Sequence, residues 1–193
     1  MQPSLYLASR SPRRQELLRQ MGIEFEVFVV DVPEHPAKGE TAEHFVTRMA
    51  QEKSSAANTQ ISKQGMVIMP ILGADTCVVI DGEILGKPRN RTHGIDMLRR
   101  LSGTTHEVMT AVNINADDRD YGVLSLSKVS FDRLSDQDVV RYWDSGEPMD
   151  KAGGYGIQGR AAAFISRLEG SYTGVVGLPL FEVSSLFKKI GIT

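Results

Sequence analysis

A chain of 193 residues is long enough to bury a core, and we predict one domain over residues 1–193. Its formal net charge of −2 excludes a global positive field for duplex nucleic acid, so small anions are favoured as partners over nucleic acid polymers. The chain shows no signal-like start, and no apolar run approaches the roughly 18 residues that a membrane helix needs, which argues against membrane partners. The single cysteine excludes an internal disulfide. The cytoplasm is therefore the expected compartment.

The first elements follow the pattern of a strand, a tight turn and a helix. Residues 5–8 are apolar and predict a buried strand, while Ser11 and Pro12 are typical of the N-cap and the first residue of a helix. Arg13 and Arg14 then fall in the first helical turn, where the unpaired amides already carry about half a positive charge. A bound phosphate would stabilise this arrangement. The alternative is a solvated arginine pair on a surface helix.

A half-exposed strand and a proline-bearing loop are predicted next. Residues 23–27 alternate between apolar and acidic side chains, and residues 31–39 form the loop. Two prolines restrict the backbone around Glu34, which fits a fixed carboxylate that ligates a metal. The alternative is an ordinary solvated side chain, which is the usual state of a lone loop glutamate. A second helix, capped by Thr41, is expected to end through the polar residues 58–64.

The third predicted strand carries an informative carboxylate. Residues 71–80 are mainly apolar, and Asp75 lies in their middle. A buried carboxylate is costly unless a cation or hydrogen-bond donors compensate it, so a divalent metal or nearby lysine and arginine side chains are expected beside Asp75. Such a carboxylate can also accept a proton from attacking water. An aspartate that caps a turn after Gly73 is the structural alternative.

A hairpin, a candidate phosphate ligand and a helix follow along the chain. Residues 81–82 are a typical two-residue turn before a short strand at 83–85. The proline after Lys87 favours an extended backbone, which presents the ammonium outward to a phosphate or simply to solvent. The next helix is predicted from a Thr92 cap to residue 101.

The second half of the chain again alternates between strand and helix patterns. Strands are predicted at 106–114 and 123–131, and a helix begins at Ser135. A glycine-rich loop over 145–159 comes next, followed by a last strand pair and a C-terminal helix after Pro179. Together the elements predict an α/β or α+β fold.

The glycine-rich loop is the densest cluster of glycines in the chain. Four glycines between 153 and 159 indicate close backbone approach to a neighbour. The segment 154–159 has the form G-x-G-x-x-G, but no strand precedes it, which argues against a dinucleotide fingerprint. Gln158 can donate and accept hydrogen bonds at the edge of a pyrimidine. A purely structural loop is the alternative.

These tracts, taken in chain order, resemble one family, the Maf nucleoside triphosphate pyrophosphatases, and specifically its branch that acts on dTTP and UTP. Any one tract alone is weak, whereas the ordered set is specific and spans nearly the whole chain. The matching tracts are residues 9–14, 73–76, 87–88, 102–106, 150–159, 170–172 and 176–179.

The resemblance implies hydrolysis of dTTP and UTP, with modified pyrimidine nucleotides included, between the α and β phosphates. The products are a nucleoside monophosphate and diphosphate, and a divalent cation, Mg or Mn, is the implied cofactor. The implied fold is related to that of the inosine triphosphate pyrophosphatases, with a central mixed twisted sheet, flanking helices and room for two lobes around a cleft. A homodimer is the expectation at the level of the family.

The resemblance also implies roles for individual residues. Asp75 matches the proton acceptor of the family, and Glu34 and Asp75 are the expected metal ligands. The expected substrate-binding residues, with Arg14 added from its place in the first helical turn, are Ser9, Arg13, Arg14, Lys53, Thr76, Lys87 and Gln158. Cationic side chains among them would stabilise the charge that develops on the leaving diphosphate.

Two other classes of function stay open at this point. One is a nucleotide-binding regulator of septum formation or cell division that does not turn its ligand over. The other is a phosphomonoesterase, which releases orthophosphate instead of diphosphate.

Overall fold

Seven strands and six helices form the regular structure of residues 3–192, the part of the chain that the computed structural model describes. Short 3-10 turns lie at Glu147–Asp150, Ala152–Gly154 and Arg160–Phe164. None of the helices in this described part is long and apolar enough to cross a membrane. In chain order the elements are β1 (Leu5–Leu7), α1 (Pro12–Gln20), β2 (Phe25–Val27), α2 (Ala42–Lys63), β3 (Ile71–Ile80), β4 (Glu83–Leu85), α3 (Arg91–Leu101), β5 (Thr105–Ala116), β6 (Arg119–Phe131), α4 (Asp136–Asp144), β7 (Ile165–Glu169), α5 (Tyr172–Val176) and α6 (Leu180–Lys189).

All seven strands belong to one mixed sheet. Its order is β2-β1-β3-β5-β6-β7, and β4 pairs with β3 beside this path. The strand β1 is parallel to both of its neighbours, whereas the other pairings are antiparallel. Buried side chains of α1 and α6 pack on one face of β3, and those of α2 pack on the other. This confirms the predicted mixed α/β fold with a central sheet between helices.

The long strand β3 leaves a gap on one edge of its ladder. β1 pairs with its first residues, Ile71 and Leu72, and β4 pairs with its last three, 78–80. Between them, no strand of the described chain pairs with residues 73–77 on that edge, although β5 pairs with them on the other. Because successive side chains of a strand point to opposite faces, an opening at this gap is accessible to side chains from both faces of β3.

Helix α2 lies very close to β3 because of one glycine. A Cβ atom at Gly73 would stand 2.2 Å from the carbonyl oxygen of Ala50 and 2.8 Å from the backbone nitrogen of Ser54. Next to this contact, the side chains of Val46 and Ala50 pack against Cys77 and neighbouring residues of β3 and β5. The absence of a side chain at Gly73 therefore sets the distance between helix and strand.

The substitution Gly73→Ala is expected to destabilise the protein by about 1–3 kcal/mol, because the added methyl group forces α2 away from β3. Urea unfolding measures the change. Gly86→Ala is the matched control, since a Cβ there meets no atom within 4 Å. Equal unfolding free energies for the two variants would show that α2 is not held by this contact.

Helix α2 ends at Lys63, inside the polar segment 58–64 that was predicted to end it. The helix reaches that far because Ala57 and Ile61 on its inner face are buried in a cluster with residues of β1 and β3. Helix α3 begins at Arg91, and its N-cap is Asn90 instead of Thr92, since the Asn90 side chain accepts the backbone N–H of residue 93 at 2.9 Å.

The hairpin of β5 and β6 is longer than predicted, and the prediction of a last strand pair is wrong. The hairpin strands meet at Asp117 and Asp118, whose φ angles of 50° and 57° form the two-residue turn that lets both strands continue. After the single strand β7, Ser171 accepts the backbone N–H of Gly174 and begins the short helix α5. Between the glycine-rich loop and Pro179 the described chain therefore contains one strand, β7, and a short helix instead of a strand pair.

Candidate active site

A cleft of about 1220 Å³ opens at the gap in β3. Its walls come from the start of α1, the loop between β2 and α2, α2 itself, the loop after β4 and the segment 147–159. A space of this size accommodates a nucleotide, since ligand pockets typically measure about 300–1,000 Å³. All of the predicted substrate-binding and metal-binding residues line it, namely Ser9, Arg13, Arg14, Glu34, Lys53, Asp75, Thr76, Lys87 and Gln158.

One buried ammonium group joins the two predicted metal-binding carboxylates. Lys53 is 8% exposed, and its Nζ lies 2.7 Å from Oδ1 of Asp75 and 2.5 Å from Oε1 of Glu34. Lys53 extends from α2 and Asp75 from the facing side of β3, so the close approach at Gly73 brings the two together. The cation that a buried aspartate requires is therefore Lys53.

Glu34 is held in its ionised form by the same group. Partial burial by itself raises the pKa of Glu34, but the hydrogen bond and the charge of Lys53, together with Lys87, outweigh it and leave the pKa below its ordinary value. The Nζ of Lys87 lies 3.8 Å from Oε2 of Glu34. Glu34 therefore carries its negative charge at neutral pH, as a metal ligand must.

The carboxylates fit a metal that binds together with a phosphate ligand. Within residues 3–192, no group of three histidine, cysteine, aspartate or glutamate side chains is arranged to hold a metal by itself. Glu34 and Asp75 nevertheless direct oxygens toward one point, the ammonium of Lys53. Mg²⁺ is usually held by one or two carboxylates, water and substrate phosphates, which is the donor set that a polyphosphate would complete here.

The start of α1 brings Arg13 to the rim of the cleft. Ser11 caps the helix, as predicted, by accepting the backbone N–H of Arg14 at 3.4 Å. The Arg13 side chain is 28% exposed, and its NH1 lies 3.3 Å from Oδ2 of Asp150. Asp150 is not among the predicted site residues, although it lies in the predicted glycine-rich loop. The carboxylate of Asp150 thus compensates part of the excess positive charge at the start of α1.

Arg14 lines the cleft with a buried side chain whose guanidinium is bound by the protein itself. Its guanidinium donates to the carbonyl of Gly177 at 2.8 Å, to Oγ of Ser9 at 3.1 Å and to Oγ1 of Thr76 at 3.1 Å. Burial lowers the pKa of Arg14, and the nearby charges of Asp75 and other groups act in both directions. This geometry ties β1, β3 and the end of α5 together, and direct contact of Arg14 with substrate stays a prediction.

The glycine-rich segment is fixed from behind by a buried aromatic group. Nε2 of His106 lies 2.7 Å from the hydroxyl of Tyr155, and both rings pack edge-on against Phe131. Burial lowers the pKa of His106 to about 4, so the imidazole is neutral at physiological pH. His106 therefore supports the segment structurally, and Gln158 at its exposed end borders the cleft.

Comparison with known proteins places this fold in a family. A family model described as Maf-like protein matches residues 4–190. The chain belongs to the Maf family. It is 50% identical over 191 residues to a dTTP/UTP pyrophosphatase of Alkalilimnicola ehrlichii, which covers 98% of this chain and 94% of that protein. A protein of the same name from Ralstonia nicotianae is 48% identical over 99% of this chain and 96% of its own length. Another from Escherichia coli O157:H7 is 49% identical over 95% of this chain and 91% of its own length.

Five of the seven tracts that carry the Maf resemblance contribute to the walls of one cleft, whereas residues 102–106 and 170–172 do not line it. Residues 9–14 form its rim at α1, residues 75–76 its floor at β3, and most of 150–159 the opposite side. Tracts separated by more than half the chain are thus neighbours only because of the sheet order. The cleft is therefore the candidate active site of this Maf protein.

Proposed function

We propose that this Maf protein is a nucleoside triphosphate pyrophosphatase that hydrolyses dTTP and UTP, including modified pyrimidine nucleotides, to the monophosphate and diphosphate. It works in the cytoplasm as a homodimer and uses Mg or Mn. The proposal depends above all on one observation, the convergence of Arg13, Lys53 and Lys87 with the carboxylates of Glu34 and Asp75 around a single cleft. The activity named for the relatives supports the same reaction.

Asp75 takes the proton of the attacking water in this mechanism. Its Oδ1 accepts a hydrogen bond from Lys53 at 2.7 Å, which fixes the carboxylate in one orientation. No other side-chain hydrogen bond to Asp75 occurs among residues 3–192, so Oδ2 is free to bind water. A positioned carboxylate of this kind typically contributes about 10²–10⁴-fold to a hydrolysis rate.

The cations of the cleft stabilise the charge that moves onto the leaving diphosphate. Lys53 and Lys87 lie on either side of Glu34, and Arg13 stands at the helix N-terminus, where the backbone amides add partial positive charge. A divalent metal bound by Glu34 and Asp75 would polarise a phosphoryl oxygen and neutralise part of the same charge. Gln158 recognises the edge of the pyrimidine, with Arg13 and Thr76 completing the set that favours this class of base.

The purified protein is expected to convert dTTP and UTP to dTMP and UMP with release of diphosphate. Addition of EDTA should abolish the reaction, because the two carboxylates offer an incomplete coordination shell and cannot compete with a chelator for the metal. Excess Mg or Mn should restore the activity. Chromatography of the nucleotides and separate assays for diphosphate and orthophosphate measure the products.

The same experiment separates the alternatives. Orthophosphate released from a nucleoside monophosphate would identify a phosphomonoesterase. Binding of UTP by calorimetry without any product, with metal present, would identify a regulator that binds nucleotide and does not cleave it. Either result would overturn the proposed reaction.

A further inference from the structure

The segment that carries Gln158 is closed by one glutamate. Glu147 begins this segment, and its Oε2 accepts the backbone N–H of Arg160, 13 residues later, at 2.9 Å. The backbone carbonyl of Glu147 accepts the ammonium of Lys151 at 2.6 Å. One residue thus joins the beginning, the middle and the end of segment 147–160.

Tyr142 attaches this glutamate to helix α4. The Tyr142 side chain is buried, and its hydroxyl donates to Oε1 of Glu147 at 2.8 Å while it accepts the backbone N–H of Gly156 at 3.2 Å. Burial, followed by the hydrogen bond to Glu147, raises the pKa of Tyr142, so the phenol remains protonated and continues to donate. The segment is therefore connected to the helix at two separate points.

The residue after Gln158 touches the Glu147 carboxylate directly. A Cβ at Gly159 would lie 2.3 Å from Oε1 and 2.4 Å from Oε2 of Glu147. The φ angle of Gly159 is −105°, which side chains adopt freely, so the small size of glycine is what this position requires. The backbone next to Gln158 is held against the carboxylate with no room between them.

We infer that Glu147 is a positioning residue that fixes Gln158 for recognition of a uracil or thymine base, an inference that rests on the proposed function. A side-chain amide both donates and accepts, so a rotated glutamine can match the edge of cytosine as well as that of uracil. Selectivity then depends on where the backbone holds the amide relative to the rest of the cleft. Glu147 supplies that constraint through Arg160, Tyr142 and Gly159.

A double-mutant cycle between Glu147 and Gln158 tests the inference. Glu147→Ala is expected to raise the KM for UTP about 10- to 100-fold, because a small displacement of a recognition group is costly. The value of kcat should change by less than about threefold. Although Glu147 also lines the cleft, the substitution leaves Glu34, Asp75 and Lys53 in place. The preference for UTP over CTP should fall in parallel.

Two further variants and a control complete the design. Glu147→Gln keeps one acceptor oxygen and should give an intermediate KM. In the Gln158→Ala background, Glu147→Ala should add little, because both changes act through the same side chain. Glu169→Gln, an exposed glutamate on β7 paired with Arg167, is expected to leave the kinetics unchanged.

The possible outcomes distinguish this inference from the proposed function. The positioning role would be overturned if the increases in KM from the two substitutions multiplied in the double variant. It would also be overturned if Glu147→Ala weakened activity on UTP and CTP equally. Neither result would contradict the proposed pyrophosphatase activity. A wild-type protein that releases no diphosphate from UTP would overturn the proposed function itself. Should Glu147→Ala unfold at the assay temperature, Glu147→Gln and Tyr142→Phe carry the same comparison. The first replaces one acceptor oxygen of the carboxylate, the second removes both hydrogen bonds of the Tyr142 hydroxyl, and both nearly keep the side-chain volume.

Discussion

Asp75→Asn is expected to lower kcat for UTP and dTTP by about 10²–10⁴-fold or more, because an amide cannot take a proton from water. The asparagine has nearly the same shape and its oxygen still accepts the hydrogen bond of Lys53, which lies 2.7 Å from Oδ1 in the native protein. The fold should therefore persist. Steady-state kinetics with both nucleotides and circular dichroism of the variant measure the two effects.

A matched control separates the chemistry of Asp75 from a general loss of charge. Asp96 is an exposed aspartate on α3 whose Oδ1 lies 3.6 Å from NH1 of Arg99, and it does not line the cleft. Asp96→Asn should leave kcat unchanged, since exposed ion pairs contribute little. Near-normal turnover by Asp75→Asn would show that another group accepts the proton.

Local features of the fold could be predicted from the sequence because they depend on neighbours in the chain. Ser11 and Ser135 cap α1 and α4 as expected, and each cap is a hydrogen bond to a backbone amide three residues later. The long apolar run at 71–80 forms β3 with the predicted bounds. The hairpin turn at 81–82 also needs only its own residues, and it joins β3 to β4 as predicted.

The ion pairs of the site could not be predicted in this way, since they depend on sheet order. Arg13 and Asp150 are 137 residues apart in the chain and meet only because the glycine-rich segment faces the start of α1. The contact of Lys53 with Asp75 requires that α2 cross β3 at Gly73. No local pattern specifies either crossing.

The burial of Arg14, in contrast, can be read from its position in the local sequence. Residues three and four apart on a helix share one face, and Arg14 stands three and four residues before Leu17 and Leu18, which are fully buried. Arg13 falls about 100° away on the helix and faces the cleft. The two arginines therefore have different environments although they are adjacent in sequence.

Lys53→Met is expected to destabilise the protein by about 3–5 kcal/mol at neutral pH, because removal of the ammonium leaves the buried carboxylate of Asp75 without its cation. The methionine has a similar length, so packing between α2 and β3 is largely kept. The value of kcat should also fall, by about 10²–10³-fold, since Lys53 is one of the cations next to the developing charge. Urea unfolding and steady-state kinetics measure the two losses.

The pH dependence of this variant gives a sharper test. In the native protein the pKa of Glu34 is lowered from 4.5, so the stabilisation of Glu34 by Lys53 is present above the ordinary glutamate pKa and is lost as pH falls through the lowered value. The difference in unfolding free energy between native protein and variant should therefore narrow in acid. Lys63→Met, at the exposed end of the same helix, is the matched control. A difference that stays constant from neutral to acidic pH would mean that Lys53 contributes by packing alone, and that its charge does not hold the two carboxylates together.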